Sequence, residues 1–265
     1  MTKEVFNYII ITTFAMWAAF SSCTKENEYK PNIKEKLLET ITYASGWYSK
    51  FEYDNRNRVT KYSEFNDLGT LMEITIVTYN GDVLTRIDYK NLHPFSGRPY
   101  DVSSELTKNG NIITVKRTHS TLNLILTTLY LHINNKGLLE KNVEEGGIFS
   151  VVNSYKYHNE NCVNYTYIYI QEGKIVEEYS LEYKFDDKKS PYYSCKTPKW
   201  FWFFTNKNFS AFSQNNAIEE KYGEGLYPEQ ITRWEYVYDR DGYPIKRIFI
   251  GSLGETWATE FQYKE

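Results

Sequence analysis

From residue 37 onward, apolar and polar side chains alternate in short runs broken by polar turns, which is the period of half-buried β-strands. Between Trp47 and Tyr53, the residues Trp47, Ser49, Phe51 and Tyr53 share one face, and Lys50 and Glu52 lie opposite. Leu181, Tyr183 and Phe185 against Glu182 and Lys184 repeat the pattern, as do Trp257, Phe261 and Tyr263 against Glu260 and Gln262. Tyr165 to Ile170 differs: tyrosines occupy one face and Thr166, Ile168 and Ile170 the other, which predicts a strand covered on both sides. Helical stripes are missing from the pattern; Ile33 to Thr40 is the one stretch with room for about two helical turns.

The turns recur. Asp54, Asn80, Asn109 and Asn134 follow one another at intervals of 26, 29 and 25 residues, each between two alternating runs. Asn-Gly and Asp-Gly pairs tolerate the positive φ of tight two-residue hairpins, so each copy predicts a hairpin. The expected fold is all-β, an antiparallel meander of repeated hairpins forming a strongly curved, rolled or two-layered sheet. Composition agrees: Tyr 25, Phe 15 and Trp 6 make up 17% of the 265 residues, a surplus that suits pleated surfaces.

The clearest copies, Phe51 to Tyr62 and Tyr236 to Ile248, carry Tyr-Asp before the turn. Together with Phe185-Asp-Asp-Lys-Lys-Ser-Pro-Tyr192, they resemble a family of Bacteroidetes surface lipoproteins with YD-repeat-like (RHS-like) β-sheet domains of unknown function. The resemblance covers residues 37–265 and implies a fold and a location but no activity.

The first residues follow other rules. An apolar run from Val5 to Phe20, about 24 Å long as a helix, is too short for a bilayer core of about 30 Å and suits an export signal. It ends in Ser21-Ser22-Cys23, which resembles the lipobox of bacterial lipoproteins. That resemblance implies a signal peptide over 1–22, lipid attachment at Cys23, a tether to residue 36, a single β domain over 37–265, and a position on the outer membrane or cell surface. Acyl chains on Cys23 would anchor an otherwise soluble domain stably. Of the two later cysteines, Cys162 and Cys195, a disulfide is open to them in an oxidising compartment, but their surroundings favour two buried thiols.

The net charge of -3 gives no basic footprint for nucleic acid. The GxSxG, HExxH, phosphate-loop and GxGxxG patterns are missing, and His93, His119, His132 and His158 have no ligand spacing, so neither catalytic residues, a metal site nor a cofactor is expected. Asp239-Arg-Asp-Gly242 reads as a turn rather than a calcium loop, since the position for a bidentate Glu holds Ile250. Adjacent acids such as Glu144-Glu145 and Glu219-Glu220 point to opposite faces of a strand and do not act together. One segment stands out: Pro198-Lys-Trp-Phe-Trp-Phe-Phe204 is either a core plug, which would bury Trp200 and Trp202 together, or a platform on which Trp200, Trp202, Phe204, Asn206 and Asn208 bind a ligand. The functional expectation is a non-catalytic binding or structural module for a glycan, peptide or protein partner; the alternative is a hydrolase of extracellular polymers using dispersed Asp and Glu.

Overall fold

Turn chemistry explains most of the local structure. At Asp54, Asn66, Asn134 and Asp239 the side-chain Oδ1 accepts hydrogen bonds from the backbone N–H groups two and four residues on; for Asp239 these come from Asp241 and Tyr243 at 2.9 and 3.0 Å. The backbone closes the same five-residue loop each time, with the first N–H bonded to the fifth carbonyl. The fourth residue must then adopt positive φ, 62° at Asn57 and 80° at Gly242, which Asn and Gly tolerate and branched residues do not. Loops starting at Tyr43 and Gly251 have the same backbone bonds without the side-chain cap. The Asn-Gly turns form the tighter class, Asn80 pairing Val83 and Asn109 pairing Ile112 across two-residue loops.

The computed structural model describes residues 35–92, 100–120, 122, 124–205, 209–223 and 230–264. Its strands are β1 (Leu37–Tyr43), β2 (Tyr48–Tyr53), β3 (Val59–Phe65), β4 (Leu71–Asn80), β5 (Val83–Asn91), β6 (Tyr100–Asn109), β7 (Ile112–His119) and β8 (Leu124–Ile133). There follow β9 (Leu139–Gly146), β10 (Phe149–His158), β11 (Asn161–Gln171), β12 (Lys174–Lys189), β13 (Asn215–Tyr222), β14 (Ile231–Tyr238), β15 (Pro244–Ile250) and β16 (Thr256–Lys264). Every neighbour in sequence is an antiparallel neighbour in space, and β1 pairs with both β2 and β16, so the meander closes into a sixteen-stranded barrel.

Closure corrects two expectations. The sheet is neither two-layered nor a rolled YD-type sheet, because its first and last strands pair from Leu37↔Lys264 to Tyr43↔Thr259 and leave no edge. The closing strand lies partly in the segment with room for helical turns; within Leu37–Tyr43, Thr40, Ile41 and Thr42 are β-branched and prefer the pleat. Nor is β11 covered on both sides: Ile168 and Ile170 are half-buried on the outer wall, with no second layer over them among the described residues.

A barrel of eight strands is filled by its own side chains; one of sixteen has a lumen too wide for that. Here the described parts of the connection between β12 and β13, Ser190 to Thr205 and Phe209 to Gln214, fold into the lumen, with 3-10 turns at Lys199–Thr205 and Phe209–Phe212. Trp202, fully buried, has its ring 4.4 Å from Tyr192 and 6.0 Å from Phe51 of the wall. One core results, uniting wall residues such as Val115, Leu129, Leu131 and Leu139 with Phe201, Trp202 and Phe212 of the plug. Polar bonds fix the plug at one end of the barrel: Val59 N–H donates to Thr197 Oγ1 at 2.7 Å, Cys162 N–H to Ser213 Oγ at 3.0 Å, and the hydroxyls of Ser194 and Tyr243 meet at 2.6 Å. Cys162 and Cys195 are both buried free thiols.

The outer wall is polar. Lys61 pairs with Glu52 at 2.9 Å, Arg86 with Asp88 at 2.8 Å, and Glu219 with Lys184 and Arg233 at 2.7 and 3.1 Å, all at outward positions. A barrel wall in hydrocarbon instead carries an apolar band about 25 Å tall, and each outward Lys or Arg at its middle costs about 2–4 kcal/mol. These outward ion pairs suit water, and they alternate with exposed apolar side chains such as Ile76 and Val237.

Candidate functional site

The alternation that builds the core at the plug end continues toward the other end of the lumen, but with different side chains. On β3 the inward series runs Tyr62, Glu64; on β4, Val77, Thr75, Glu73; on β5, Ile87, Tyr89; on β7, Val115, Arg117; on β9, Asn142, Glu144. Of these, Tyr62, Glu73, Thr75, Ile87, Tyr89, Arg117 and Glu144, with Ser104 of β6, line a cavity of about 410 Å³. Phe203, Phe204 and Thr205 of the plug form its inner boundary. Its volume falls in the usual range for small-molecule sites, roughly 300–1,000 Å³.

The polar groups within it are organised. Glu64 and Glu73 stand directly opposite on adjacent strands. The Tyr62 hydroxyl donates to Glu64 and continues through Ser49 Oγ at 3.1 Å to Tyr43 OH, also 3.1 Å away. Burial pushes the Tyr89 phenol well above its ordinary range, and the neighbouring Glu73 and Glu64 carboxylates push it further, so Tyr89 stays a neutral donor. Two strands round from Tyr89, Arg117 is half-buried, and its Nε is buried with no hydrogen-bond partner among the described residues. An orphaned guanidinium N–H costs free energy until something accepts from it. Farther round, Tyr167 and Tyr179 stack at 4.9 Å, Glu177 lies beside Tyr167, and Glu220 faces Tyr183 across β12 and β13. Burial raises the Glu220 carboxyl above its ordinary range.

Trp200 and Trp202 are packed into the core, 6% and 0% exposed, the joint burial expected of a plug. Phe204 is half-buried and lines the cavity. Asn206 and Asn208 lie outside the described residues, as do Cys23, the signal segment and His93. Sequence reasoning missed Tyr62, Glu73, Tyr89 and Arg117, which come from separate hairpins and share no linear motif. Glu144 and Glu145 do point apart, Glu144 into the cavity and Glu145 outward. The pairing that adjacency hid is Glu64 with Glu73.

No protein-family model and no curated protein matches the chain, so the YD-repeat resemblance of its hairpin motifs finds no support there. Solved structures do match. A porin-like protein from Bacteroides vulgatus aligns over 87% of this chain and 99% of its own length, with TM-score 0.47 and 12% identity. One from Bacteroides uniformis aligns over 86% and 98%, with TM-score 0.38 and 10% identity. At those scores neither likeness carries function to this chain.

Proposed function

We propose that the protein is a non-catalytic, extracytoplasmic binding module, held on the outer membrane or cell surface by a lipid on Cys23, whose barrel lumen takes a glycan. The observation that carries this reading is the inner cavity: the aromatic side chains of Tyr89, Phe203 and Phe204 beside Glu73, Glu144 and a guanidinium with an unused donor. Sugars present apolar ring faces bordered by hydroxyls, and stacking with convergent hydrogen bonds is how such surfaces are held. The outward ion pairs support a barrel surrounded by water, with attachment through the lipid.

Glycan-array screening of the full chain followed by calorimetric titration tests the reading. Arg117→Ala and Tyr89→Phe should each weaken binding about fivefold or more while leaving the circular dichroism spectrum unchanged. Binding indifferent to both changes would place the glycan elsewhere. A hydrolase reading has one observation in its favour, the facing Glu64 and Glu73 carboxylates, since paired carboxylates run glycoside hydrolysis. Turnover of a bound glycan that Glu73→Gln abolishes would replace the binding role with that one.

A further inference from the structure

We propose that the plug end carries a second binding site, for an anionic amphiphile, formed by an apolar pocket with a lysine rim. The pocket is a cavity of about 400 Å³ lying between the wall and the start of the plug. Leu84, Leu106, Ile113, Ile133 and Trp200 line it, each at most 8% exposed. Lys108, Lys136, Lys196 and Lys199 rim it, and no carboxylate is among its lining residues.

These lysines are underused. Among the described residues Lys108, Lys136 and Lys199 make no ion pair, and Lys196 reaches Glu35 only at 3.8 Å, beyond hydrogen-bond range. Lys136, Lys196 and Lys199 also border an adjoining cavity of about 390 Å³, where Glu35 and Glu160 appear. Burial holds the Lys199 amine below its ordinary range, against the opposing pull of Cys195 and Glu160 and with Lys196 adding repulsion, so the charged form gains from an incoming anion. The inner cavity, walled by Glu73 and Glu144, has the opposite sign, and the two sites would not compete for one ligand. Apolar walls for a chain and ammonium groups for a head define the class: an alkyl carboxylate or alkyl phosphate. A free amphiphile and a membrane lipid headgroup share that chemistry. β1 begins at this end, where Lys36 pairs with Asp239 and Asp241.

Titration of the full chain with decyl phosphate should show saturable binding, at least tenfold tighter than octyl phosphate, since each buried methylene is worth about fourfold. Decanol should bind at least tenfold more weakly and decyltrimethylammonium not at all. Lys136→Gln with Lys199→Gln should lose tenfold or more in decyl phosphate affinity, while near-ultraviolet circular dichroism and glycan binding in the inner cavity stay as in the parent. Decanol binding as well as decyl phosphate, an unaffected double variant, or no binding at all would overturn the site. Cosedimentation with phosphatidylglycerol but not phosphatidylcholine vesicles, competed by decyl phosphate, assigns the headgroup as the source; decyl phosphate binding without vesicle retention assigns a free amphiphile.

Discussion

Single carboxylates set two opposite pH responses in this barrel. At Asp239, burial works to raise the carboxyl, but hydrogen bonds from Lys36 and from the N–H groups of Tyr243 and Asp241 outweigh it and hold the group below the ordinary range. A depressed folded-state pKa contributes stability that is present above the unfolded value and disappears as pH falls through the folded one. Asp239→Ala should therefore cost about 1–3 kcal/mol near neutral pH, with the penalty shrinking in acid, read by urea unfolding at pH 7 and pH 3. Glu220 behaves in reverse. Its raised pKa contributes stability below the ordinary glutamate value that is lost as pH rises through the folded value, because the ionised form is desolvated beside Tyr183. Glu220→Gln is expected to raise the melting temperature at pH 7.5 and to change it little at pH 4. The Asp239 cap was legible from the Asp-x-x-Gly spacing, since it needs only local chain. The inward position of Glu220 was half legible: alternation separates it from Glu219, but only the register β12·β13 says which of the two faces the lumen.

Among the elements, strands and plug carry different loads. Alternation revealed β2, β12 and β16 because their faces differ in polarity, whereas β1 was obscured by its short, mixed run, and closure was invisible because pairing of β1 with β16 spans the whole domain. The aromatic segment was visible as an anomaly, but its division of labour follows from tertiary placement. Trp202 sits against Phe51 and Tyr192 in the core, and Phe204 reaches the inner cavity. Trp202→Ala should thus destabilise by about 3–5 kcal/mol, the usual cost of emptying an aromatic core position, measured by denaturant midpoint at constant slope. Phe204→Ala should cost much less stability and instead weaken glycan binding. Equal stability losses from both changes would mean that the plug has no cavity-facing side.

For the whole molecule, the question is what holds it at a membrane. A barrel of sixteen strands invites the reading of a pore, but pore walls turn apolar side chains outward, and this wall turns out Lys61 with Glu52, Arg86 with Asp88 and Lys184 with Glu219. The lumen is likewise unlike a water-filled channel at its plug end, where Phe201 and Trp202 are fully buried. On the proposed reading, membrane attachment comes from a lipid on Cys23 rather than from the barrel wall. Cys23→Ala should move the protein from the membrane fraction to the soluble fraction without detergent, with unchanged β-sheet circular dichroism and an unchanged melting temperature. Retention in membranes after alkaline carbonate washing, with Cys23 replaced, would show that the wall itself enters lipid. That result would require the outward ion pairs to be neutralised or covered, at about 2–4 kcal/mol for each cation left at mid-bilayer.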